Sequence, residues 1–281
     1  MHLSNTSILS SVELALYALL IPPALFIAYR HGRHGILGYF YLNISIAVRI
    51  AAAICQLIDN KNNNTATTPS RATIILSSIG LSPLLLAASG ILHELHHYLL
   101  ASATTSPSKK SRWPLFIQIQ IHTLCTVGMI LLILGSVHLA EAKSSSEANA
   151  AYKLRSAGAV LWFVTWLGLM QYIAWLFFRF HRVQQQEKKN NYRSTTALRN
   201  WTMVALLFGG AKVVYAAVYT LDHADTAINP VTGSFAIKVV LVVGVQSFAV
   251  VAMIVGGWLS RGIVLDYQKQ GSKARITDAI V

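Results

Sequence analysis

The sequence predicts an all-α integral membrane protein, a bundle of seven transmembrane helices with the N-terminus outside or luminal and the C-terminus cytosolic. Three observations carry this expectation. Of 281 residues, 54% are hydrophobic and only 12% charged, whereas an ordinary soluble domain carries about 25% charge. The apolar residues gather in seven runs, each long enough for the roughly 20 helical residues that a bilayer requires. Basic residues then alternate between heavily and lightly loaded loops. Lipid tolerates only helices or closed barrels as spanning backbone, and the alternation of a barrel strand is absent.

The runs follow in order. Ile8–Tyr29 lacks a basic segment before it and a small-residue cleavage site after it, so it reads as a span rather than a signal peptide. Ile36–Asp59 and Ala72–Ala101 come next, joined by the polar connector "NKNNNTATTPS". Pro114–Ala140 and Ala157–Phe178 follow, then Trp201–Leu221 and Ala236–Ser260. Residues 1–260 thus form the membrane domain, and 261–281 a basic cytosolic tail. Lys and Arg in the connections number five on one side and fifteen on the other. The excess marks the cytosolic face. Two glycosylation sequons, at Asn5 and Asn63, both fall on the opposite side. The formal charge of +13 is then a topology signal that also suits anionic lipid headgroups. Membrane lipids and a lipophilic small molecule are the expected partners, and nucleic acid is not. Cys55 and Cys125 both sit inside spans, so no disulfide framework is implied.

Ionisable residues inside spans are expensive and mark functional candidates. At 100° per residue, Ser10, Glu13 and Tyr17 fall within about 60° of one another on the first span. Ser45, Arg49, Gln56 and Asp59 share a stripe about 80° wide on the second, and Lys212, Tyr215, Tyr219 and Asp222 do so on the sixth. Lys238 and Gln246 lie on one side of the seventh. These stripes keep their charges out of lipid only by converging on one interior cavity. Structural ion pairs that set helix packing are the plainer reading. Trp162 and Trp166, deep in the fifth span, offer either an aromatic cavity wall or ordinary helix packing.

The segment "GILHELHHYLL" (90–100) holds the densest set of metal-ligand side chains. His93, Glu94 and His97 fit the H-E-x-x-H zinc-protease pattern, and His93, His96 and His97 fit the H-x-x-H-H box of di-iron hydroxylases. A zinc protease needs a third ligand and an open position, and neither Asp222 nor Asp266 is well placed to supply the ligand. The di-iron reading lacks its second histidine box. A histidine-rich turn that snorkels to headgroups requires no metal, so no metal and no cofactor is assigned. Glu94 with His97 remains a possible proton-handling pair.

"YRHGRHGILGYFYL" after the first span, the Arg of "ISIAVRIAAAICQL" and "SSIGLSPLLLAASGIL" together resemble the fungal seven-span integral membrane proteins grouped as a domain of unknown function. The resemblance covers essentially the whole chain. By analogy of class, such proteins are similar to the membrane-bound terpene cyclases of fungal meroterpenoid pathways, located in the endoplasmic reticulum. That analogy implies an isomerase- or lyase-type enzyme performing acid-initiated, metal-independent cyclisation of a farnesyl-type chain. Such chemistry needs a carboxyl that keeps its proton, as desolvation favours. Glu13, Asp59 and Asp222 are the acids to consider, with Tyr17 and Tyr215 as proton relays. Arg49, Lys212, Tyr219, Trp162, Trp166 and Gln246 would hold the substrate. An arginine close to Glu13 would spoil it as an acid. The alternative is a seven-span transporter or receptor-like small-molecule-binding protein, for which Pro22-Pro23 and Pro83 supply possible helix breaks.

Overall fold

The structure, a computed structural model, describes residues 5–62, 70–103, 113–186, 193–221 and 234–262. Every regular element among them is helical. The stretch from Asn5 to Asn62 is two helices, α1 (Asn5–Gly32) and α2 (Gly35–Lys61), separated by a kink at Gly32. Gly32 adopts φ 61° and ψ −154°, a left-handed backbone that a side chain resists. The kink folds α2 back along α1, because Glu13 and Arg49, 36 residues apart, form an ion pair. On a straight helix they would lie about 54 Å apart. Pro22 and Pro23 are carried inside α1, and the turn comes nine residues later.

The third expected span is not one helix. It divides into α3 (Arg71–Ile79) and α4 (Ser82–Ala103), with Gly80 and Leu81 between them. Pro83 explains the break: it lacks an N–H and its ring would clash with the carbonyl of Ile79 were the helix continuous. At the second position of α4 the same ring is tolerated, since that N–H has no helical partner. Ser70 caps α3 by accepting from the Thr73 amide at 3.3 Å.

α5 (Trp113–Glu141) and α6 (Ser145–Gln186) form the most closely packed pair. A three-residue turn joins them, closed by Ser144, which accepts from the Glu147 amide, and by Glu147, which accepts from the Lys143 amide. This is the logic of a capping box. Glycines set the closeness: a Cβ on Gly158 would meet the Gly128 carbonyl at 2.7 Å, and one on Gly135 the Ala151 carbonyl at 2.8 Å. Small residues let membrane helices approach in this way. α7 (Arg193–Leu221) and α8 (Phe235–Leu259) complete the bundle, and residues Lys238–Gly244 of α8 are wound as a π-helix.

Among the described residues six helices are long and apolar enough to cross a membrane: α1, α2, α5, α6, α7 and α8. This supports a multi-pass membrane protein, with six such helices where seven were expected. The difference lies at the α3–α4 break. The core runs through α1, α2, α4 and α8, where Tyr17, Ile27, Tyr39, Leu42, Ile91 and Leu95 are wholly buried.

Candidate functional site

Four helices and the α3–α4 break bring polar groups to one place. α1 supplies Glu13 and Tyr17, and α2 supplies Arg49. The Arg49 guanidinium is ion-paired with the Glu13 carboxylate, and both side chains are almost wholly buried. The Tyr17 ring lies 6.0 Å from the guanidinium carbon, and its hydroxyl accepts from Ser247 on α8 at 3.3 Å. Gly80 lets Arg49 through, since a Cβ there would stand 3.2 Å from Arg49 Cδ and 3.6 Å from Gln246 Nε2.

α7 and α8 close the other side. Lys212 donates to Gln246 Oε1 and, at 3.2 Å, to the Val242 carbonyl. Gln246 Nε2 in turn donates to the Gly80 carbonyl at 2.7 Å. Both backbone acceptors come from irregular segments, the α3–α4 break and the π-helical turn. Such turns free carbonyls that a regular α-helix would use internally, and π segments recur at functional sites. Lys212 lies within electrostatic reach of both Arg49 and Glu13. The cluster therefore holds two cationic side chains against one carboxylate. Two of its buried atoms, Arg49 Nε and Ser45 Oγ, have no hydrogen-bond partner among the described residues. Buried polar atoms are seldom left so.

Several residues expected in the site stand elsewhere. Asp59 is ten residues further along α2, about 15 Å by helical rise. Its carboxylate accepts from the Ser70 amide at 2.9 Å and the Thr73 hydroxyl at 2.8 Å, tying α2 to the start of α3. The Tyr219 ring lies under the Arg155 guanidinium of α6, 4.7 Å away. Tyr215 is buried on α7, three residues from Lys212. Asp222 lies outside the described residues, as does Asp266. The two tryptophans join helices instead of walling a cavity with the cluster. Trp162 Nε1 donates to the Cys125 carbonyl of α5 at 3.3 Å, and Trp166 Nε1 to the Leu206 carbonyl of α7 at 2.9 Å. Their rings fill gaps left by Gly128 and Gly210 respectively.

"HELHH" is likewise resolved differently from expectation. It lies inside α4, and Glu94 and His96 are buried rather than snorkelling. Glu94 pairs with His31: His31 Nδ1 stands 2.7 Å from Glu94 Oε1, and His31 Nε2 donates to the Gly257 carbonyl at 2.9 Å. Tyr39 packs on the imidazole at 4.6 Å between centroids. This second buried polar group joins α1, α4 and α8, and sequence reasoning missed it. The histidine of "YRHGRHG" was visible, but a partner 63 residues away leaves no local pattern. His96 points elsewhere, with Nδ1 2.7 Å from the Tyr172 hydroxyl. Among the described residues no three His, Cys, Asp or Glu side chains are grouped to hold a metal ion.

A protein-family model, described as a domain of unknown function (DUF7702), matches residues 3–262. No curated protein and no solved structure matches the chain.

Proposed function

The chain belongs to that family of unknown function, and from this premise we propose that it binds a lipophilic molecule with an anionic, oxygen-rich head inside the membrane, as a transporter or receptor does, without chemically altering it. One observation carries the reading: Arg49 and Lys212, drawn from separate helices, are buried with a single carboxylate beside two irregular backbone segments. Irregular backbone at membrane depth is tolerated where it is enclosed in protein or lines a cavity. Broken helices at a buried polar site are a recurring arrangement for binding small molecules in membrane proteins.

The alternative, acid-initiated cyclisation of a farnesyl-type chain in fungal meroterpenoid biosynthesis, asks for a carboxyl that hands over a proton. Arg49 engages Glu13 as an acceptor, Asp59 caps α3, and both indole N–H groups are committed to backbone carbonyls. The binding reading takes precedence on those grounds. We further place the protein in the endoplasmic reticulum of a fungal cell, with α3 and α4 together as its seventh span and the N-terminus luminal. The loop asymmetry of five basic residues against fifteen supports that orientation.

Two experiments test these proposals. The full chain, purified in neutral detergent, is heated with laurate or with 1-dodecanol while tryptophan fluorescence is followed. Laurate should raise the unfolding midpoint, and Arg49→Gln should remove that rise while leaving any shift from dodecanol unchanged. A laurate effect that survives Arg49→Gln would refute a site built for an anionic head. For topology, a cysteine replacing the exposed Lys143 should react with a membrane-impermeant maleimide from the luminal side, and labelling from the cytosol inverts the orientation.

A further inference from the structure

A cavity of about 380 Å³ opens on the side of the bundle between α4, α5 and α6, away from the Glu13–Arg49 cluster. Its inner wall is an aromatic stack. The His96 ring lies on Trp175 at 5.3 Å with planes 26° apart, and Tyr172 lies on the same indole at 6.0 Å and 17°. The Tyr172 hydroxyl fixes His96 through Nδ1, so the rings form a set surface. Gln120 and Gln171 stand at the rim, both exposed on the outside of the bundle. Gly168 forms part of the lining, and a Cβ placed there would meet no atom within 4 Å. Gly168 thus borders open space.

The lining decides the chemistry of the occupant. It is mostly apolar, which suits a hydrocarbon body, and pockets for small molecules begin at about 300 Å³. At the roughly 30 Å³ that a water molecule occupies in the liquid, the volume accepts on the order of a dozen heavy atoms. A longer tail would run out into the bilayer. The polar groups are an imidazole, a phenol and two carboxamides, with no carboxylate, lysine or arginine among the described lining residues. Arg179, one turn beyond Trp175 on α6, is stacked on that indole at 4.9 Å and does not line the cavity. Among the described lining residues a charged head finds no counter-ion, the Arg179 guanidinium being taken up by the Trp175 indole. A hydroxyl would find both donors and acceptors, and it would also satisfy two carboxamides that otherwise face lipid at a cost.

We propose that this groove is a second binding site, selective for a neutral lipophilic alcohol that enters sideways from the bilayer. It stands independently of the anionic site above, because the preferred head group is the opposite one. The test uses the full chain in phosphatidylcholine nanodiscs and a farnesol carrying a diazirine and an alkyne. Photolabelling should map to peptides of α5 and α6, fall at least fivefold with excess unlabelled farnesol, and persist with excess laurate. Gly168→Phe starts from a Cβ that meets no neighbour within 4 Å, so it should abolish labelling while the protein still elutes as a single species. Gln171→Leu, at the exposed rim, should weaken it several-fold and serves as the second variant should Gly168→Phe misfold. Labelling unchanged in these variants, or competed equally by laurate, overturns the proposal and leaves a crevice filled by bulk lipid. Labelling that moves to α1 or α2 assigns the alcohol to the Glu13–Arg49 cluster instead.

Discussion

α1 ties two buried charge sites together, Glu13 with Arg49 near its start and His31 with Glu94 at its end. Eighteen residues separate Glu13 from His31, about 27 Å along the axis. At the His31 site both ring nitrogens are engaged, one by a carboxylate and the other by a backbone carbonyl. Glycines shape its walls, since a Cβ on Gly35 would strike His31 Cβ at 2.6 Å, and one on Gly257 the Tyr39 hydroxyl at 2.6 Å. Such a site locks three helices together. The Glu13 site has the same burial but a different balance. It carries a surplus cation, borrows carbonyls from two disrupted helical segments, and leaves Arg49 Nε and Ser45 Oγ unsatisfied. Burial of charge alone therefore does not separate structure from function in this protein. The second cation and the irregular backbone around it do.

That contrast can be broken experimentally. Arg49→Leu should have the largest effect on stability, about 3–5 kcal/mol, because it strands a buried carboxylate. The double variant Glu13→Leu, Arg49→Leu should recover most of that loss, which unfolding in mixed micelles would measure. A single substitution costing no more than a surface change would show that the pair is solvated. Glu94→Ala comes next, at about 1–3 kcal/mol for the partner it removes from His31. Glu94→Gln should be milder, since its amide oxygen still accepts from the imidazole. Ligand-induced stabilisation by laurate should survive both Glu94 variants if the two sites are separate, and its loss would mean that they act as one. Ser70→Ala removes the cap of α3 and should cost about 1 kcal/mol, with laurate binding unchanged. A triple His93→Ala, His96→Ala, His97→Ala variant should leave the elemental content of the purified protein unaltered. Stoichiometric zinc or iron in the wild type, lost in the variant, would restore a metal centre to α4.

The helical class was legible because apolar runs and basic loops report directly on lipid, a solvent with few permitted solutions. Helical periodicity also grouped Glu13 with Tyr17 on one face and placed Arg49 and Lys212 as inward-facing, and the structure brings these residues together. It failed for Asp59 and Tyr219 because a wheel records angle and ignores depth. Both share a face with cluster residues yet lie turns away, where Ser70 and Arg155 engage them. Trp162 and Trp166 had a dual reading, and their indole N–H groups bond carbonyls of neighbouring helices. The His31–Glu94 pair and the role of Gly80 were invisible, since each depends on contacts between segments distant in sequence. The break before Pro83 had a local signal, and its consequence for the span count did not.

The kink at Gly32 also bears on how the chain is made. Glu13 and Arg49 lie 18 residues to either side of His31, so the fold about this point brings them level. A nascent chain that released α1 into lipid alone would carry a bare carboxylate with it, and α2 alone a bare guanidinium. Entry of both as one pre-formed hairpin lets each charge be neutralised by the other before either meets the acyl chains.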